Sequence, residues 1–300
     1  LEGAMHRLEE EYQEIPDATK PAKVRQYLML AKEAFQIKDY EKCSLAIYSI
    51  INSEKLEKSG KRPVALHWLA ESVYQLQNYT TALHYFKKML KEEDTTYIHH
   101  AASRVIEIGF KSNKMKTVAK FFKKYEAKVR NKVPDQVRYE RGRTLFLNES
   151  DSEALTHLGM IPESSPFYSR AVYITGAVHI RAGKYEEATQ MFEAITDLKP
   201  ATDIDQQLVE LSYMGLGRLY YDQDLLDEAV NAYQFISFDS PFFSEMLYEV
   251  TWVYVRRGQL IKTRETSDDM PPSEVERLVN EEYKKALEQL RMLVELEADS

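Results

Sequence analysis

The sequence predicts an all-α fold, an α-solenoid of about seven stacked antiparallel helix pairs, and three observations carry that prediction. The chain has 300 residues, 44% of them hydrophobic, with only 10 Gly and 10 Pro. It is too apolar for a disordered chain and too poor in turn formers for a β-sandwich. Small residues recur along it at a near-constant interval, in pairs twelve residues apart. A bulky apolar residue follows the second small residue by one helical turn. Two antiparallel rods approach closely only where side chains are small, and a large side chain one turn later fills the neighbouring space.

Units start near 24, 63, 99, 135, 169, 210 and 244. Residues 1–23 form an acidic lead-in segment ahead of the array, which spans 24–264. On the first helix of each unit the small place is filled by Ala31, Ala70, Ile106, Gly142, Gly176, Gly217 and Thr251. On the second it is filled by Cys43, Ala82, Val118, Ala154, Ala188, Ala229 and Thr263. The bulky places hold Ile47, Phe86, Phe122, Leu158, Phe192 and Tyr233. The unit from 99 fits worst: Ile106 and Val118 predict a wider helix separation or a shifted register there. The unit from 135 fits better, with Gly142, Ala154, Leu158 and Pro166 in place. The seventh breaks at Ser267. A polar stretch over 265–272 reads as an exposed loop. A helix over 273–300, opened by Ser273 and Glu276, completes or caps the last pair, with Tyr283, Ala286, Leu290 and Leu293 restoring the second-helix pattern.

The clearest copy, SRAVYITGAVHIRAGKYEEATQMFEAITDLKP from Ser169 to Pro200, places Gly176, Gly183, Tyr185, Ala188, Phe192 and Pro200 at fixed offsets. The next repeats the pattern with Tyr213, Leu216, Gly217, Tyr220, Ala229, Tyr233 and Pro241. These residues resemble the tetratricopeptide pattern, W-x2-L-G-x2-Y, A-x3-F and P, over roughly 24–298, most specifically between 135 and 241. The wording at 182–192 is similar to that of degenerate bacterial arrays. The resemblance implies a right-handed superhelix whose inner face, lined by first helices, holds an extended or helical peptide of a partner.

Function classes narrow by elimination. Lys plus Arg number 40 against 48 Asp plus Glu, a net charge of -8, which argues against a surface devoted to nucleic acid or anionic lipid. G-x-x-x-x-G-K-[ST], G-x-G-x-x-G, G-x-S-x-G and H-E-x-x-H do not occur, so the chain is read as non-enzymatic, with no cofactor and no small-molecule substrate. Of seven histidines only His99 and His100 are adjacent, and helix neighbours point about 100° apart, so no metal site is expected. The lone Cys43 fits a small packed place better than a nucleophile. No run suffices for a membrane span. Leu1 in place of Met suggests a processed or truncated start, which leaves a cytoplasmic or a periplasmic location open.

Carried onto this chain, the inward places of the resemblance are the second, fifth, ninth and twelfth residues of each unit. The second half of the array supplies aromatic and guanidinium groups there or beside them: Tyr139, Arg143, Phe146, Arg170, Tyr173, Arg181, Met214, Arg218, Tyr221, Tyr248, Trp252 and Arg256. Rings give contact area at low entropy cost and Arg clamps carboxylates in two-point fashion, a combination that suits an apolar-acidic peptide. For the twelfth places, core packing against the next unit competes with this reading. Residues 111–132 form a second candidate surface with nine basic residues and one acidic, including Lys116, Lys120, Lys123, Lys124 and Lys128. It is read as a solvated helix face, with binding of an anionic surface or RNA as the alternative and nucleic acid not expected as partner. The expected function is a protein–protein interaction scaffold within a bacterial assembly such as a cell-envelope or motility complex. A structural oligomerising subunit with a self-occluded groove is the alternative.

Overall fold

The computed structural model describes residues 21–130, 132–198, 203–263 and 271–298. The lead-in up to residue 20, Pro200, Ser267 and the loop over 265–270 lie outside the described residues. Fifteen helices and no strand occur among the described residues. The chain divides into two compact units, Leu1–His157 and Leu158–Ser300.

The first unit contains α1 (Pro21–Gln36), α2 (Tyr40–Tyr48), α3 (Glu54–Lys58), α4 (Arg62–Gln75), α5 (Tyr79–Met89), α6 (Ile98–Lys111), α7 (Met115–Lys128) and α8 (Asp135–Leu147), and α9 (Asp151–Leu158) ends at the boundary. The second contains α10 (Tyr168–Arg181), α11 (Tyr185–Thr196), α12 (Asp203–Asp222), α13 (Leu226–Tyr233), α14 (Phe243–Thr263) and α15 (Pro272–Ala298). First and second helices alternate as the spacing predicts. The short α3 is an addition that the periodicity does not signal.

Six hairpins turn the same corner. Two residues past the first helix stands a residue with positive φ: Lys38, Gln77, Asn113, Glu149, Gly183 and Asp224, at 51° to 71°. The next backbone N–H then donates to a carbonyl five residues back, as from Asp39 to Ala34 at 2.8 Å, Lys114 to Gly109 at 2.7 Å and Leu225 to Tyr220 at 2.9 Å. This is the left-handed helix stop that satisfies the orphan carbonyls of a last turn. Asp39 and Asn78 then cap the following helices, accepting from the backbone N–H of Lys42 at 3.1 Å and of Thr81 at 3.2 Å. A left-handed residue other than glycine costs about 1 kcal/mol or more. Five of the six corners accept that cost.

Because the corner is constant, the small and bulky places meet in register. In the second unit the Phe192 ring lies between two first helices. A Cβ on Gly176 of its own hairpin would sit 2.7 Å from the ring, and a Cβ on Gly215 of the next hairpin 2.8 Å from its opposite edge. Tyr233 repeats the contact on Gly217, where a Cβ would come within 2.5 Å. In the first unit Ala31, Ala70, Cys43, Ala82, Ile47 and Phe86 are fully buried.

The weak third copy keeps its corner at Asn113, so its register is not shifted. Ile106 is buried but too large for a close crossing. The close approach moves one turn along to Gly109, where any Cβ would overlap Val118. In the last pair Thr263, which fits the spacing, ends α14 exposed. Buried Ala286 of α15 takes that place, and Tyr283 packs on Gly258 with 2.6 Å to a notional Cβ.

Phe192→Ala is expected to cost about 3–5 kcal/mol, the usual range for a buried ring. Gly215→Ala should lose about 1–3 kcal/mol to overpacking, partly offset by the roughly 1 kcal/mol that Ala gains over Gly in a helix. Denaturant unfolding followed by circular dichroism checks both. An unchanged midpoint for Phe192→Ala would refute the role given to the ring.

Candidate functional site

In the second unit the first helices α12 and α14 lie side by side, held across their exposed face by one guanidinium. Arg218 donates Nε to Glu249 at 3.0 and 2.9 Å and Nη2 to Glu249 at 2.6 Å and to Glu245 at 2.7 Å. Tyr233 from α13 donates its hydroxyl to Glu249 at 2.9 Å. The hydrogen bonds to Glu249 hold the Arg218 guanidinium above its ordinary range. Burial pushes the Tyr233 phenol up, and the Glu249 charge adds to this. Burial likewise raises Tyr173 on α10, on which the Arg218 and Glu245 charges act in opposite senses.

Arg218, expected to clamp a partner's carboxylate, thus spends its two-point donor face within the chain. Arg256 does the same with Asp224 of the α12–α13 corner, at 3.0 and 3.3 Å. Met214 is 1% exposed and belongs to the core, so it offers no surface. Arg170 is half-buried over the Phe167 ring at 5.8 Å, Tyr221 and Tyr173 are half-buried, and Arg181 is exposed near the end of α10. Open to solvent on α14 are Tyr248, 52% exposed, and Trp252, 50% exposed, their rings edge-to-face at 6.3 Å. Glu245, Tyr248, Glu249 and Trp252 follow one another at helical neighbour spacing and share one face.

Tyr139, Arg143 and Phe146 stand on α8 in the first unit, Arg143 exposed and the two rings half-buried. The basic helix α7 is amphipathic. Lys116, Lys120, Lys123 and Lys124 are exposed, while Lys128 donates to the Glu92 backbone carbonyl. Val118, Phe121, Phe122 and Tyr125 are buried, as their spacing predicts, so no ring on this helix is free to stack on a base.

The densest polar assembly is one that the sequence reading passed over. Glu71 of α4, 6% exposed, accepts from Arg104 of α6 at 3.0 and 2.8 Å and from Gln75 at 2.7 Å. Arg104 also donates to Glu107 at 2.9 Å and lies 4.3 Å over the Tyr74 ring. His100 Nε2 is 3.4 Å from Glu71, and His67 stacks on Tyr97 at 4.4 Å while meeting His100 edge-on at 4.8 Å. Burial lowers His67 to about 4, with His100 adding to the effect. A signal did exist. Glu71 stands at the ninth place of its unit and Arg104 at the sixth of the next, the same two places that Arg218 and Glu249 occupy with the charges reversed.

No group of three His, Cys, Asp or Glu able to hold a metal occurs among the described residues. No helix among them is long and apolar enough to cross a membrane. Cys43 is buried, and burial raises its thiol.

No protein-family model matches the chain, and no curated protein matches it. Among solved structures, a tetratricopeptide repeat protein from Parabacteroides merdae superposes with a TM-score of 0.50 at 12% identity, covering 88% of this chain and 98% of that one. The fold is tetratricopeptide-like. PilF from Pseudomonas aeruginosa follows at TM-score 0.47 and 16% identity, with 78% of this chain and 97% of that one covered. YrrB, a tetratricopeptide protein with an unusual peptide-binding site, gives 0.46 at 16% identity, with 67% and 95% covered. Within these tetratricopeptide-like hairpins, two of the expected clamp residues, Arg218 and Arg256, serve hairpin-to-hairpin pairing.

Two measurements follow from this geometry. Arg218→Ala is expected to cost about 1 kcal/mol, since the pair is half open to solvent and screened, and Glu249→Gln in that background should recover part of the loss. Unfolding midpoints of the two variants decide it. His67 takes its proton in the unfolded chain near the usual 6.5 and in the folded chain near 4. The unfolded state therefore binds more protons in that window, and its contribution is lost as pH falls from about 6.5 to about 4. His67→Gln should flatten the melting temperature across that window, and an unaltered slope would refute the assignment.

Proposed function

We propose that this chain is a non-enzymatic protein–protein interaction scaffold whose second unit holds a segment of a partner on the first-helix face of α12 and α14. The observation that carries the reading is the pair Tyr248 and Trp252, each about half exposed at the fifth and ninth places of its unit. Large aromatic residues are the side chains that dominate the energy of docking surfaces. Tyr173 and Tyr221 extend the aromatic character along α10 and α12. The terminal helix α15 packs on α14 through Tyr283 against Gly258 and leaves both open rings uncovered, which favours a partner over self-occlusion. The bacterial wording at 182–192 supports a place in a multi-protein assembly, such as a cell-envelope or motility complex.

A display screen of random peptides against the full chain tests this, with each recovered peptide measured again on Tyr248→Ala/Trp252→Ala. The expected result is that capture falls more than tenfold in the double variant while helical content and melting stay the same. Capture that is indifferent to the double variant would end the proposal.

A further inference from the structure

From the charge around those rings we infer that the segment held on α14 is basic, presenting Arg or Lys to Trp252 and Tyr248, the opposite polarity to the one the sequence suggests. The inference rests on the docking surface proposed above and names the chemistry of its occupant. A list of residue types counts Arg218 and Arg256 as cations waiting for an acidic ligand. In the structure both are neutralised in place, Arg218 by Glu249 and Glu245 and Arg256 by Asp224. Two guanidinium groups thus stand against three carboxylates, and the local balance is negative.

The surplus carboxylate sits where it can act. The Glu245 side chain is 55% exposed and meets Arg218 through a single nitrogen, whereas Glu249 takes most of the fork and is 20% exposed. Glu245 lies one turn before Tyr248 and two turns before Trp252 on the same helix face. Exposed aromatic faces carry negative charge at their centres and attract a guanidinium or ammonium group placed over them, Trp most strongly. A neighbouring carboxylate within reach of the same cation adds hydrogen bonds and steers its approach. An acidic segment would meet the exposed Glu245 carboxylate, while Arg218, Arg256 and Arg257 on these two helices are already engaged by carboxylates of the chain.

The experiment uses the full chain and fluorescence anisotropy. Peptides recovered by the display screen as dependent on Tyr248 and Trp252 are compared with versions in which each Arg or Lys becomes Gln or Glu. The expected result is enrichment of Arg and Lys among those peptides and about tenfold weaker binding for the Gln versions. A loss of similar size is expected with Trp252→Leu, which keeps apolar area but removes the ring, and a smaller loss with Trp252→Phe. Glu245→Gln should weaken Arg peptides several-fold with melting unchanged. Enrichment in Asp or Glu, equal binding of Arg and Gln versions, or a Trp252-dependent self-association of the chain in sedimentation would overturn the polarity assigned here. The first two of these would leave the docking surface standing. If no peptide depends on Tyr248 and Trp252, the docking surface itself falls and this inference with it.

Discussion

The fold of the second unit turns on a flat ring seated between two helices that have no side chain at the point of contact. Phe192 belongs to α11, yet it touches Gly176 of the helix before it and Gly215 of the helix after it. One side chain therefore sets two distances, the width of its own hairpin and the spacing to the next. The sequence Gly215-Leu216-Gly217 shows the logic on a single helix: Gly215 receives the ring of the preceding hairpin, Gly217 receives Tyr233 of its own, and Leu216 between them is buried. Stability in such an array is a sum of hairpins and nearest-neighbour seams, and here the two terms share residues.

The corner is the other constant. It fixes the distance from the first small residue to the second, so the knob one turn further on arrives opposite the right glycine or alanine. The third hairpin shows how much variation this allows. With Ile106 and Val118 where small residues are expected, the backbone corner is unchanged and the close crossing simply moves to Gly109. A local exchange of large and small residues is absorbed along the helix without disturbing the connection.

Most of the fold was legible because its determinants are side-chain size and spacing, which one sequence displays directly. The small places, the bulky partners and the alternation of helices are all of this kind, and Val118, Phe121, Phe122 and Tyr125 read correctly as core for the same reason. What was not legible depends on partners far apart in the chain. Arg218 is a typical clamp residue by type and place, and Arg256 by type. Only the fold reveals that Glu249 and Asp224 reach them first. Met214 has the right place for a lining residue, but its rotation on α12 turns it inward. The corners were hidden for another reason. Glycine is the usual mark of a left-handed residue, and of the six only Gly183 carries it.

Two seams between successive first helices carry ion pairs of opposite polarity, Glu71 to Arg104 in the first unit and Arg218 to Glu249 in the second. Hairpins of one family shape are otherwise near-interchangeable building blocks, and a chain made of them risks stacking in the wrong sequence while it folds. Exchanging partners across these seams would set Glu71 against Glu249, or Arg218 against Arg104. At these two seams a hairpin is thus keyed by sign to its own successor, and a swap between them is penalised by like charge.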